Sequence, residues 1–471
     1  MSTFQSERNN IYLKVLIRST THITGNERKP MVKLHIGFDD TDSPKGGCTT
    51  HIAALLVEKL SLMNVSFTDY PNLIRLNPNV PWKTRGNGAL CLRINCREDA
   101  VDRIKETVLD TIEANAKLNY GGTNPGVVFL FGDIPQQIRD FAKKAEQRIV
   151  KMDEALSLVK RFDAEAVGFK KGRGIIGGLA AIGEDLSGDH TFELITYRMP
   201  ENLGEPRRVQ ASSVKTMNTK SPLTFSNIDP ETGRILITPR GPDPILYGVR
   251  GETSEAVKQA HEMILREEPI ERWMIFRTNQ GTDAHLRKVS AVKEIQPYNP
   301  VVAQGTVSKE PMVIQGGHVI FAVKDETGEV DCAAYEPTGS LCRTSRKLMA
   351  GDIVKVFGGV RPSSPKHQLT INLEKLRVLK LAPKTSFVNP VCPECGKRMK
   401  SMGKNQGFRC DKCGFRSSQL KKLEVNEERG LETGLYITSP RSQRHLTKPH
   451  RRYGREKTGV PKEMIENWHS P

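Results

Sequence analysis

From residue 31 onward the chain alternates between strand-length apolar runs and segments whose apolar residues recur every three or four positions. VKLHIGF (32–38) reads as a buried strand that ends at Asp39-Asp40-Thr41-Asp42. A loop with Pro44, Gly46 and Gly47 follows, and Thr49 or Thr50 is placed to cap a helix over HIAALLVEKLSLM (51–63). ALCLRINC (89–96) predicts a second strand, AVDRIKETVLDTIEANA (100–116) a helix, and GGTNPGVVFLFG (121–132) a glycine-rich turn entering a strand. This alternation predicts an α/β or α+β domain over residues 31–160. A second region, 161–295, holds AVGFKKGRGIIGGLAAIG (166–183), the runs HTFELITYRM (190–199) and GRILITPRGPDPILYGVRG (233–251), and an acidic, Trp-containing helix predicted over 254–276.

The pattern changes again at residue 296. Five strand candidates, 301–314, 317–325, 329–337, 351–361 and 368–379, fill a β-rich region to 382 and fit a small Greek-key barrel of the OB type. Residues 388–422 carry a cysteine cluster, and 423–471 read as a polar, basic tail with little periodicity. Residues 1–30 are polar with a short apolar patch; they read either as a mobile extension or as lying ahead of a true start at Met31.

The chain has 471 residues, enough for about three or four cores. No apolar run of membrane-spanning length and no secretory pattern is present, so a cytoplasmic protein without a membrane partner is expected. Lys and Arg exceed Asp and Glu by 71 to 54, which favours a polyanionic partner. Nine cysteines, five of them scattered, do not make a secreted disulfide scaffold.

The other four cysteines are Cys392, Cys395, Cys410 and Cys413, two CxxC knuckles with 14 residues between them. Zinc takes four thiolates tetrahedrally, and this spacing predicts a structural zinc ribbon with no open coordination position. Nine Lys or Arg lie between Cys392 and Lys422, with Phe408 and Phe415 among them. Such a mixture suits phosphates and stacked bases, although both Phe could instead pack the small module.

Asp39, Asp40 and Asp42 mark the other candidate chemistry. Carboxylates at the C-terminal end of a strand can hold magnesium on a nucleotide's phosphates. The loop of Gly46 and Gly47 and the helix start at Thr49 and Thr50 add backbone N–H groups that favour anions. Turn chemistry and an ordinary N-cap would account for the same residues. No GxxxxGK[ST] motif is present, so an ATP site here is not a P-loop. Lys83 and Arg85, in PNVPWKTRGNG (78–88), either neutralise phosphate or form an exposed basic loop. KKGRGIIGG (170–178) reads as a close-packed turn of the second domain, placed to line a ligand cleft.

GFDDTDSPKGGCTT (37–50), PNLIRLNPNVPWKTRGNGAL (71–90), TNPGVV (123–128), GRGIIGGLAAIG (172–183), TPRGPDPILYGVRGE (238–252), IFRTNQGTDAHL (275–286) and RHLTKP (444–449) together resemble the archaeal tRNA(Ile) 2-agmatinylcytidine synthetase family. The resemblance implies an α+β multidomain chain: an α/β kinase-like catalytic domain (31–160), a ferredoxin-like domain (161–295), an OB-fold (296–382) and a C-terminal zinc ribbon (388–422). It implies an ATP-dependent ligase that attaches agmatine to C2 of the wobble cytidine of an isoleucine tRNA with a CAU anticodon, by way of phosphorylation of the C2 oxygen. Asp39, Asp40 and Asp42 would hold magnesium and the phosphates, and Thr49 matches the threonine autophosphorylated in that family. Asp243 and Glu252 are candidate agmatine carboxylates, or else turn and surface residues. No obligate protein partner is implied. The rival readings are a non-catalytic single-strand binder built on barrel and ribbon, and a small-molecule kinase with RNA-binding appendages.

Overall fold

The structure is a computed structural model that describes residues 12–15, 30–460 and 463–470. Most of the 1–30 extension therefore lies outside the described residues; its strand Tyr12–Val15 pairs antiparallel with Glu165–Phe169.

Strand Tyr12–Val15 and the strands between residues 31 and 278 build one continuous sheet. Its path runs Tyr12–Val15, Glu165–Phe169, Gly126–Phe131, Met31–Asp39, Gly88–Arg97, Asn72–Arg75, Ile270–Thr278, Thr191–Arg198, Ile245–Gly251 and Thr224–Phe225. The two halves meet at a short parallel pairing, Arg277 with Asn72 and Thr278 with Leu73. Alternation along the strands sorts side chains to opposite faces. Leu90, Leu92 and Ile94 join one core with Ile52, Leu56 and Val108 from helices Thr49–Ser61 and Val101–Asn115. Ala89 and Cys91 join another with Ile138 and Phe141 from helix Gln136–Gln147.

The glycine run is a helix and not a turn. Gly174–Gly183 is a buried helix that lies against Met31–Asp39, in the layer of the first half-sheet. Its glycines allow backbone contact: a Cβ on Gly37 would fall 2.0 Å from the Gly178 carbonyl oxygen, and one on Gly177 would fall 2.0 Å from Asp39 Oδ2. Gly178→Ala is expected to lower stability by about 1–3 kcal/mol, seen as an earlier thermal transition, because neither backbone can yield without losing ladder hydrogen bonds.

Three other expectations change. The helix predicted over 254–276 is split into helix Ser254–Met263 and strand Ile270–Thr278, since Pro269 sits between them and Trp273, Ile275 and Arg277 alternate in strand register. In GRILITPRGPDPILYGVRG only Ile245–Gly251 is a strand; Ile235 makes a single bridge to Ile228. Helix Thr49–Ser61 starts after Cys48, with no side-chain cap from Thr49 or Thr50.

All five barrel runs form strands. Pro300–Val313, Val319–Asp325, Gly328–Ala334, Thr370–Lys380 and Ile353–Arg361 are hydrogen-bonded in that order around the barrel, and Pro300–Val313 closes it on Ile353–Arg361. Val301, Phe321, Val354 and Leu376 fill the interior. A two-stranded ribbon, Thr385–Val388 with Leu423–Asn426, carries the cysteine module, whose own core is Cys392, Met399, Phe408 and Cys410.

The final segment is not a loose tail. Gly434–Ile437 adds to the barrel, after which the chain returns to the large sheet. Arg452 is fully buried: its Nη2 donates to Asp189 at 2.8 Å, its Nε to Glu252 at 2.8 Å and its Nη1 to the Gly281 carbonyl at 2.7 Å. Trp468 packs edge-on to Phe67 and Tyr70 in the first core. An extended chain pinned one residue at a time has no period to read, and its charges look solvated until their partners are known.

Candidate active site

A cavity of about 360 Å³ opens over the seam between the half-sheets. Asp39, Asp40, Asp42, Thr49 and Thr50 line it from the first half, Lys83 and Arg85 from the 78–88 loop, and Asp243 from the second half. The strand end delivers the carboxylates by a sharp turn. Asp40 takes a left-handed backbone, φ 61°, and its N–H donates to Asp39 Oδ1 at 2.6 Å. Asp and Asn tolerate this conformation better than other side chains.

The electrostatics are strained in one direction. Burial, then the neighbouring Asp40 carboxylate, pushes the Asp39 pKa well above the usual carboxylate range. Burial pushes Asp40 up to about 6, against the opposing pull of Arg173, whose Nη2 donates to Asp40 Oδ2 at 3.1 Å. Asp42 is held by Arg85, at 2.8 Å from Nε, and the same guanidinium reaches Asp243 at 3.2 Å and the Gly47 carbonyl at 2.6 Å. Buried carboxylates that resist ionisation beside one another suit a divalent cation, which takes oxygen donors and removes their repulsion. The donor set therefore fits magnesium carried on a polyphosphate.

Thr49 is buried at the cavity wall, its hydroxyl accepting from Thr41 Oγ1 at 3.0 Å. Thr50 faces Cys48 Sγ at 3.0 Å. Gly46 and Gly47 do not line the cavity; at φ 147° and 83° they shape the turn behind it. Lys83 lines the cavity, and burial followed by nearby Arg444 lowers its pKa. Of the two further carboxylates, Asp243 is at the site, whereas Glu252 is buried away from it against Arg452 and Lys457.

Sequence reading missed Arg173, Arg75, Glu193, Arg250 and His445, which also line the cavity. Arg173 lies in the glycine run, which reads as lining a cleft without singling out this residue, and His445 lies in the basic segment, whose pattern gives no hint of one. Only the returning chain and the second half-sheet bring them together.

In the ribbon, the four Sγ atoms lie within 4.8 Å of one another, with Cys392–Cys413 at 3.5 Å and Cys395–Cys410 at 3.4 Å. Thiolates around one zinc ion stand about 3.7 Å apart, so the set fits the metal. Gly396 and Gly414, at φ 72° and 78°, turn each knuckle and donate to the Cys392 and Cys410 carbonyls.

A buried carboxylate cavity in an α/β sheet, joined in one chain to an OB barrel and a zinc ribbon, defines a class: a catalytic unit coupled to a nucleic-acid-binding platform. The chain matches the TiaS TCKD domain over residues 35–171, the TiaS FLD domain over 172–285, an OB-fold nucleic acid binding domain over 301–379 and the TiaS C-terminal zinc ribbon domain over 389–431. It belongs to the TiaS family. It is 43% identical to TiaS of Staphylothermus marinus, a 2-agmatinylcytidine synthetase named for an isoleucine tRNA, over 92% of this chain and 96% of that one. It is 44% identical to the synthetase of the same name from Pyrococcus horikoshii, over 88% and 96%. A crystal structure of apo TiaS superposes with a TM-score of 0.81 at 40% identity, covering 89% of this chain and 97% of that one. A complex of TiaS with an isoleucine tRNA and ATP does so at 0.79 and 39%, with the same coverage.

Proposed function

We propose that this chain uses ATP to attach agmatine to C2 of the wobble cytidine of an isoleucine tRNA with a CAU anticodon, giving 2-agmatinylcytidine and so allowing AUA to be read. The observation that carries the reading is the aspartate-lined cavity at the seam of the two half-sheets, in a chain similar along about nine-tenths of its length to enzymes named for this reaction. A further TiaS structure, 37% identical with a TM-score of 0.77 over 89% of this chain and 96% of that one, is a complex with an isoleucine tRNA, AMPCPP and agmatine.

The C2 oxygen of cytidine is a poor leaving group, and its phosphorylation makes it a good one. The primary amine of agmatine then attacks C2 and the phosphorylated oxygen departs as inorganic phosphate; that transfer leaves ADP, and a second phosphoryl group, passed to the Thr49 hydroxyl, takes the nucleotide to AMP. Phosphoryl transfer needs positioning and charge neutralisation more than covalent help. Asp39, Asp40 and Asp42 would hold magnesium, which supplies that neutralisation when bound. Arg85 and Lys83 face the same space, and Arg85 takes phosphate oxygens as Asp42 and Asp243 release it. Thr49 presents a hydroxyl at the cavity wall and is the residue we assign to autophosphorylation; Asp243 is positioned for a guanidinium. Barrel and ribbon hold the tRNA by shape and phosphates, and the wobble base is splayed into the cavity. The protein works in the cytoplasm with its tRNA, and among the described residues no helix is long and apolar enough to cross a membrane.

Incubation with unmodified isoleucine tRNA, ATP and agmatine, followed by mass analysis of nucleosides, is expected to show the agmatine adduct. Folded protein that binds the tRNA and yields no adduct would leave only the single-strand binder. Phosphopeptide mapping after incubation with ATP is expected to place phosphate on Thr49 and to lose it in Thr49→Ala.

A further inference from the structure

The cavity holds a second polar cluster that the chemistry above leaves unused. Arg75 ends strand Asn72–Arg75, paired with Gly88 on the neighbouring strand. Among the described residues its guanidinium has no ion-pair partner, and its Nε is buried without a hydrogen bond. Two glycines leave it room: a Cβ on Gly86 or Gly88 would stand 2.8 or 2.9 Å from Arg75 Nη1.

Arg250 lies beside it. Its Nε donates to Glu193 at 3.1 Å and its Nη2 to His445 Nδ1 at 2.8 Å. Glu193 also accepts from Gln280 and attracts Arg75 without a direct ion pair to it. Burial, then Arg75 and Arg250, holds the His445 pKa well below 6.5, so the imidazole is neutral. Nδ1 meets both a guanidinium, which can only donate, and Gln280 Oε1 at 3.0 Å, which can only accept, so the protein's own contacts to the ring gather at Nδ1. Nε2 of the same ring lies 3.1 Å from where a Gly86 Cβ would be, facing the gap that Arg75 Nη1 also faces.

Two guanidiniums and an imidazole nitrogen thus converge on one part of the cavity, with a single, already partnered carboxylate among them. The donors outnumber the acceptors and the charge is positive. Guanidinium groups in this arrangement match the tetrahedral oxygens of a phosphate, which accepts from several N–H groups at once.

We propose that Arg75 and Arg250, with Nε2 of His445 beside them, form a phosphate-binding subsite within this cavity, separate from the aspartate cluster. The inference rests on the proposed function for its two sources of phosphate, the nucleotide or the RNA backbone next to the wobble base. His445 is delivered by the returning C-terminal segment, whose neighbour Arg444 reaches Asn79 at 2.6 Å and whose Thr447 donates to Glu374 of the barrel at 2.8 Å. The subsite is therefore assembled only when the barrel is docked.

Two full-length variants test this. Arg75→Gln removes the guanidinium; Gly88→Ala keeps its charge and displaces it. The affinities of a non-hydrolysable ATP analogue and of an isoleucine tRNA transcript are measured separately across a salt series, with thermal unfolding as the control for fold. In both variants one affinity is expected to fall about tenfold while the other holds. Loss confined to nucleotide assigns the subsite to a nucleotide phosphate. Loss confined to tRNA, with a salt slope reduced by about one contact, assigns it to the backbone. Two unchanged affinities in folded protein overturn the proposal, and Gly88→Ala alone decides it if Arg75→Gln does not fold. These binding readouts stand whether or not the wild-type protein transfers agmatine, so a failure of the reaction assay would strike the proposed function and not the subsite.

Discussion

Asp40→Asn is expected to abolish measurable agmatine transfer and, in metal-free and nucleotide-free protein, to melt at a higher temperature than the wild type. The two effects share one cause. Asp40 is a buried carboxylate whose pKa is pushed up to about 6 from an ordinary 3.8. Below pH 3.8 both folded and unfolded chains carry the proton and no penalty arises. Between 3.8 and about 6 the folded chain binds more protons than the unfolded one, so stability falls as pH rises. Above about 6 the full cost of a buried charge is present, on the order of 1–3 kcal/mol. Asn removes that cost, tolerates the left-handed backbone at φ 61°, and leaves Arg173 its bonds to the Gly122 and Trp82 carbonyls. The gain should be full near neutral pH and vanish toward about pH 4, read by thermal unfolding at both. Adduct formation should drop by roughly a hundred- to a thousandfold, because the lost carboxylate would help hold the magnesium that neutralises the phosphates. Affinity for tRNA should not change. A variant less stable than wild type at neutral pH would show that Asp40 is a satisfied turn residue and not a poised ligand.

Removing zinc should divide the molecule. Cys410→Ser, or a strong chelator, is expected to take metal content from one zinc per chain to none and to unfold the ribbon alone. In so small a module metal binding supplies on the order of 10 kcal/mol of folding energy. Its four-residue core is separate from those of the barrel and the sheet, and the module hangs on one two-stranded ribbon. The main thermal transition should therefore stay in place, while limited proteolysis cuts within residues 389–431. Lys397, Lys400, Arg409 and Arg416 lose their fixed geometry, so tRNA affinity should fall roughly 10- to 100-fold at moderate salt. Cooperative loss of the main transition with the metal would refute this independence.

Much of this was legible from the chain alone. The strand into Asp39, the two helices of the first core, all five barrel strands and the CxxC knuckles follow from local period and spacing. Backbone geometry repeats every two or about 3.6 residues, and a zinc knuckle closes within about four. The Pro269 break was in the sequence too, but a run of charged and apolar residues around Trp273 fits helix and strand alike until a neighbouring strand fixes its register. The glycines at 174, 177 and 178 carried the right signal, close approach, without saying to what.

The tertiary structure alone decided which charges are functional. Asp243 and Glu252 look equivalent in sequence; one faces the cavity with Arg85 and the other is buried against Arg452. His445, Arg250 and Arg75 come from three distant stretches, and the aperiodic C-terminal segment has no local pattern because each of its residues answers to a different partner. Local order is set by neighbours a few positions away and is written in the sequence; a charge takes its role from whatever the folded chain places within a few ångströms of it.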